Sequence, residues 1–170
     1  MPGSLWKLRY PGAYTIDGER LQTIGTDPDA AIWDQVFGPR QEAYVTIESM
    51  DGDEMEIELV LRNQGDPSEC ESVVVSWNRF NGAPVIHVAY CTNGDWAMVG
   101  EPVPYTLVEG DTLWARAYED GRIEAYVNGK LLGTWDASAA PMGTSGGRIG
   151  VFTYGVPDKV RFEDFGGGSF

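Results

Sequence analysis

The run Asp53-Glu54-Met55-Glu56-Ile57-Glu58 alternates acids with apolar residues. On a strand, that period of two puts Glu54, Glu56 and Glu58 on one face and Met55, Ile57 and Leu59 on the other. Carboxyls in such a row can divide nucleophile and acid/base roles, since retaining glycosidases hold two of them about 5–5.5 Å apart. The plain alternative is an acidic strand facing solvent, which suits a chain of net charge −14. The turn Asp51-Gly52-Asp53 also leaves Glu54 barely inside the strand. His87 is the sole histidine, so Ser-His-Asp or Cys-His chemistry would have to use it. Its face neighbours Ser76 and Asn78 supply no acid to orient the ring. A multi-histidine metal site is excluded, and the two cysteines lack zinc-ligand spacing. The glycine-rich stretches 143–150 and 166–168 open no helix and so form no phosphate loop.

A second set of residues suits binding better than catalysis. Leu113, Ala115 and Ala117 share a core face with Ile123, Ala125 and Val127 only if Glu119-Asp120-Gly121 is a three-residue loop. That register sets Trp114 opposite Tyr126 and Arg116 opposite Glu124. Rings stack on the C–H faces of sugars and charged groups take hydroxyls, so this face, with Tyr118, is a candidate carbohydrate site. The polar His87 and Asn78 are candidate sugar contacts as well. Two other readings stay open for the Trp114 face. Its pairs stabilise the sheet by about 0.2–1 kcal/mol each, or another subunit of a homo-oligomer covers it.

The cysteines belong to a third feature. In the hairpin around Asn81-Gly82, Val73, Val75 and Trp77 share one face with Ile86, Val88 and Tyr90, and Ser76, Asn78 and His87 take the other. Cys70 and Cys91 then fall on one face, opposed or one diagonal step apart. Opposed Cβ atoms lie about 4.5–5.5 Å apart, close to what a disulfide needs. A bridge implies an oxidising compartment; two free thiols are the alternative.

These features need a scaffold of strands. The chain has 170 residues, which suits one domain with a sizeable core; we expect a domain over 1–165 and a flexible glycine-rich tail over 166–170. Its 22 glycines, 10 prolines and 12% aromatic residues point to an all-β protein rich in turns. Twelve basic residues against 26 acidic ones exclude nucleic acid and anionic membrane as partners. No apolar run approaches the length of a membrane span. The start, Met1-Pro2-Gly3-Ser4 followed by Leu5-Trp6-Lys7-Leu8-Arg9, does not read as a secretory signal. Alternation between turn signals predicts strands at 13–15, 20–23, 42–48, 55–62, 72–80, 84–91, 96–99, 112–118, 122–127, 131–135, 148–154 and 159–165. Within 55–62, Arg62 is expected on the acidic, outward side. A short helix or turn is expected over 27–36, with Asp27 as cap and Pro28 at its first position.

Beyond single strands, an ordered series stands out. It comprises Gln41-Glu42-Ala43-Tyr44-Val45-Thr46, Leu59-Val60-Leu61-Arg62, Asp111-Thr112-Leu113-Trp114-Ala115-Arg116-Ala117 and Ile123-Glu124-Ala125-Tyr126-Val127-Asn128-Gly129. Gly147-Arg148-Ile149-Gly150-Val151 and Phe162-Glu163-Asp164-Phe165-Gly166-Gly167-Gly168 close it. This layout resembles the concanavalin A-like lectin/glucanase superfamily, in its LamG-like branch. The resemblance implies a jelly-roll sandwich of two antiparallel sheets, with sugar bound on the concave face or in edge loops. It also implies a structural calcium ion near the closing strand, for which Asp164 is the candidate ligand. The acidic strand is similar to the signature of the retaining β-glucanases of this superfamily. That likeness would make Glu54 nucleophile, Glu56 the assisting carboxylate and Glu58 acid/base. The chain departs from the signature in having Glu56 at its centre, where aspartate is usual, and in lacking the upstream tryptophan.

Together these observations favour a non-catalytic domain that binds glycan or cell-surface polysaccharide, or mediates attachment to other virion or cell-surface proteins. Its place would be extracellular, in a secreted protein, or on a virion surface as a phage tail or capsid appendage. The alternatives are a retaining β-glucanase using Glu54 and Glu58, and a purely structural decoration or assembly domain.

Overall fold

The computed structural model describes residues 6–8, 14–17, 20–23, 29–52, 54–80, 82–155 and 160–170. Asp27, Pro28, Asp53 and Asn81 lie outside them, as do the first residues of the strands expected at 13–15 and 159–165. The strands begin with β1 (Trp6–Leu8), β2 (Tyr14–Asp17), β3 (Arg20–Thr23), β4 (Asp29–Trp33), β5 (Gln41–Met50), β6 (Glu56–Asn63) and β7 (Ser72–Asn78). They continue with β8 (Val85–Thr92), β9 (Asp95–Pro104), β10 (Thr112–Ala117), β11 (Arg122–Val127), β12 (Lys130–Asp136), β13 (Arg148–Tyr154) and β14 (Val160–Ser169). No helix occurs among the described residues.

The strands form an antiparallel β-sandwich of two seven-stranded sheets. The first sheet runs β1-β4-β13-β6-β7-β8-β9 and the second β12-β11-β10-β5-β14-β3-β2. Alternation decides what lies between them. Ile57, Leu59 and Leu61 of β6 with Val73, Val75 and Trp77 of β7 meet Val45, Leu113, Ile123 and Phe162 of the second sheet in one buried core. Burying each large apolar side chain contributes about 1.5–3 kcal/mol. Both hairpin registers satisfy that demand: Ser76 pairs with His87 and Trp77 with Ile86, and Trp114 pairs with Tyr126 and Arg116 with Glu124.

Three expectations are corrected. The segment expected as helix over 27–36 contains β4, which pairs with β1 and β13. Ala31 packs in the central core while Ile32 is buried on the opposite face of the sheet, so no alternation of polar and apolar residues marks the strand. Arg62 does not face outward. It takes φ 56°, which breaks the alternation, and is fully buried. Its Nη2 donates to the carbonyls of Tyr118 at 2.5 Å and Pro39 at 3.3 Å, and burial lowers its pKa to about 10. The glycine-rich 166–170 is no free tail. Gly166, Gly167 and Gly168 pair with Tyr44, Ala43 and Glu42 as the second half of β14. A Cβ at Gly166 would sit 2.4 Å from the Tyr44 hydroxyl, and one at Gly167 2.1 Å from the Glu42 carbonyl. The glycines are there for close approach.

Candidate functional site

The outer face of the first sheet carries the row of acids. β6 begins at Glu56, so Glu56, Glu58 and Val60 point outward while Ile57 and Leu59 fill the core. Register extends the row sideways. Phe152 of β13, Glu58 of β6, Ser76 of β7 and His87 of β8 lie directly across four adjacent strands. Tyr154, Glu56 and Asn78 form the parallel row. Directly opposed side chains have Cβ atoms about 4.5–5.5 Å apart. These residues are therefore close in space although they are scattered over the sequence from 56 to 154.

Beside them the chain builds a wall. The β8–β9 turn uses Asn93 and Gly94, both at positive φ (52° and 85°), the pair of angles that a two-residue hairpin requires. This sets Trp96 opposite Cys91 and Met98 opposite Ala89. Cys91 is bonded to Cys70, with Cα atoms 5.5 Å apart. Cys70 belongs to the 64–71 loop and takes φ 53°. The carboxylate of Glu71 clamps the same loop by accepting from the Asn93 amide at 2.7 Å and the Thr92 hydroxyl at 3.0 Å. Loop, turn and sheet enclose a cleft of about 540 Å³ lined by Glu56, Glu58, His87, Trp96, Phe152 and Tyr154 among others. Trp96 is 48% and Tyr154 44% exposed, so their rings are open to a visitor.

The electrostatics of the cleft centre on the acid pair. Ser76 Oγ donates to Glu56 Oε1 at 2.6 Å. Glu58 is only 4% exposed, and its Oε2 has no hydrogen-bond partner among the described residues. Burial pushes the Glu58 carboxyl well above its ordinary range, and the neighbouring Glu56 adds repulsion and a hydrogen bond to the acid form. His87 goes the other way. Burial lowers its pKa and Glu56 only partly offsets this, so the ring is neutral at pH 7. Its Nδ1 is 3.3 Å from Asn78 Nδ2; with that amide donating, the ring proton sits on Nε2. The cleft thus offers a carboxylate acceptor, a carboxylic acid, an imidazole and flat rings.

The residues singled out in the sequence divide between opposite faces of the sandwich. Glu56, Glu58 and His87 come together at the cleft, with Asn78 beside His87. Glu54 does not join them: it is exposed, precedes β6 and lines no part of the cleft, because the strand starts one step too late. Trp114, Arg116, Tyr118, Glu124 and Tyr126 lie on the outer face of the second sheet. There Trp114 Nε1 and Arg116 Nε both donate to Glu42 Oε2, at 3.2 and 2.8 Å. Tyr44 packs at a tilt against Trp114, ring centroids 5.1 Å apart, and Tyr118, Tyr126 and Arg122 all donate to Glu124. Those rings and charges already have partners within the chain. Asp164 is exposed on β14, and no group of three or more acids, histidines or cysteines that could hold an ion occurs among the described residues. Sequence reasoning overlooked Trp96 and Tyr154. The signal for Trp96 was available, since Asn93-Gly94 fixes a hairpin whose register puts it beside Cys91.

No protein-family model and no curated protein matches the sequence. Solved structures do match. A carbohydrate-binding module, CBM66 from Bacillus subtilis, has TM-score 0.75 and 16% identity, over 97% of this chain and 96% of that one. The VIP36 exoplasmic/lumenal domain in its Ca2+/Man-bound form has TM-score 0.66 and 13% identity, over 98% and 83%. A legume lectin-like domain from Entamoeba histolytica has TM-score 0.65 and 11% identity, over 97% and 90%. The fold is the concanavalin A-like jelly roll.

Proposed function

We propose that this protein is a carbohydrate-binding domain whose site is the cleft on the first sheet. The observation that carries the reading is the pairing of two open rings, Trp96 and Tyr154, with a buried polar row. Rings give a sugar's C–H faces a stacking surface, while carboxylate and imidazole give its hydroxyls directional partners. The match along nearly the whole chain to a carbohydrate-binding module, and to lectin domains, supports the same reading. Binding is non-catalytic: Glu54, needed for the two-carboxyl mechanism, stands outside the cleft. The place is extracellular, in a secreted protein or as an attachment domain on a virion surface, which the Cys70–Cys91 bridge supports.

A glycan array probed with the natural protein, Trp96→Ala, Tyr154→Ala and Trp114→Ala tests this. Trp96→Ala and Tyr154→Ala should each lose about tenfold in affinity or more, about 1.4 kcal/mol, and melt like the parent. Loss of binding in Trp114→Ala alone would move the site to the second sheet. Turnover of mixed-linkage or β-1,3 glucan that Glu58→Gln abolishes would establish the glucanase alternative instead.

A further inference from the structure

The charges of the cleft are one-sided. Glu56 and Glu58 line it, and among the described residues no lysine or arginine does. The arginines of the neighbouring strands are engaged elsewhere. Arg79 donates to the Gly52 carbonyl and lies over the Trp77 ring. Arg148 pairs with Asp34 at 3.1 Å, and Arg62 turns into the core. The pair, Glu58 buried and Glu56 partly so, is thus an acid dyad with no cation among the described residues that line the cleft, which is costly unless a proton or a ligand compensates it. Glu58 lines the cleft and is 4% exposed, and its Oε2 has no hydrogen-bond partner among the described residues.

The donor's chemistry can be narrowed. Calcium wants six to eight oxygens, and the described residues hold no group of three acids, histidines or cysteines that could bind an ion. A guanidinium or an ammonium needs less. An ammonium has three N–H donors on a compact charge, which two carboxyls and a ring face satisfy together. A sugar carboxylate or sulfate would meet Glu56 with like charge. We propose that the saccharide taken by this cleft carries a free amino group, whose ammonium sits on the Glu56–Glu58 pair with Trp96 or Tyr154 against the ring. This rests on the carbohydrate reading above and narrows its ligand to aminosugars.

The proposal has a proton balance. In the free protein burial and the neighbouring Glu56 favour the acid form of Glu58. An arriving ammonium ion favours both carboxylates ionised, so the Glu58 proton leaves to solvent while the ammonium keeps its own three. The other titratable groups facing the pair are neutral His87 from β8 and Tyr154 from β13; β7 brings only Ser76 and Asn78. Neither a hydroxyl sugar nor an N-acetylated one would displace that proton.

Calorimetry can decide this with three matched β-1,4 tetramers: glucosamine, N-acetylglucosamine and glucose. Titrations run near pH 6, below the amine's pKa, in two buffers of different ionisation enthalpy. The glucosamine tetramer should bind about tenfold tighter than the glucose tetramer and release protons on binding, which the glucose tetramer should not. In Glu58→Gln the ratio between those two ligands should fall towards unity and the proton release should vanish. Equal affinities, tighter binding of the N-acetylated tetramer, or proton release that persists in Glu58→Gln would overturn the aminosugar inference while leaving the saccharide site standing. If Trp96→Ala binds all three as the parent does, or if none of the three binds the parent, the carbohydrate reading of the cleft fails as well.

Discussion

Glu58→Gln should make the fold more stable, by an amount that grows with pH. Glu58 has 4% of its surface exposed, faces Phe152 and Ser76 across the sheet, and leaves Oε2 unpartnered. Its carboxyl therefore stays protonated in the folded chain above 4.5, where the unfolded one ionises. Below that value both states hold the proton and the residue contributes its full stability. As pH rises, the unfolded chain releases its proton first, and stability is lost until the folded carboxyl ionises too. One proton gives a slope of about 1.4 kcal/mol per pH unit over that window. Glutamine matches the shape of the neutral acid and keeps a donor for Glu56, so the variant lacks this loss. Urea unfolding of both proteins from about pH 5 to pH 8 reads the difference directly. His87, whose pKa is lowered by burial, destabilises the fold in the opposite direction, towards low pH. Being common to both proteins, it cancels in the comparison. The variant should gain on the parent steadily with pH, starting near zero. Parallel profiles, or a parent that is the more stable at pH 8, would refute the picture of a buried, protonated Glu58.

Two further outcomes concern the staple and the second sheet. Alkylation and mass spectrometry of the unreduced protein should find no free thiol, and reduction of the bridge between Cys70 and Cys91, 21 residues apart, should cost about 3 kcal/mol. Because the bridge ties the 64–71 loop to the wall of the cleft, reduction should also weaken glycan binding under conditions where the fold persists. Leu113→Ala should cost about 2–5 kcal/mol by leaving a cavity between the sheets. Trp114→Ala on the outer face should cost about 1 kcal/mol from lost ring and cation contacts; equal urea midpoints for these two variants would contradict the facing.

The sequence by itself determined what repeats over two residues and what a turn demands. Period-two alternation put Ile57 and Leu59 inward and Glu56 and Glu58 outward. The requirement that apolar faces coincide put Ser76 and His87 on one face of β7 and β8 and, with a three-residue loop, set the register of β10 with β11, bringing Trp114 to Tyr126; the exact step of β7 against β8 was left to the structure. Both are local rules, and a hairpin closes within twenty residues. β4 escaped them because both of its faces are buried and its alanines carry no pattern. The glycines of β14 read as a tail because their purpose, room for Tyr44 and Glu42, belongs to a strand more than a hundred residues earlier. The tertiary structure alone decided which side of the sandwich would hold a cleft. Nothing in the spacing of Glu56, Glu58, His87, Trp96 and Tyr154 says that β13 pairs with β6, or that a disulfide-held loop rises beside Trp96. Those pairings join residues up to about a hundred positions apart, and only burial of both sheets' inner faces at once selects them. The rings of Trp114 and Tyr126, equally prominent in the sequence, ended on the far face among their own partners.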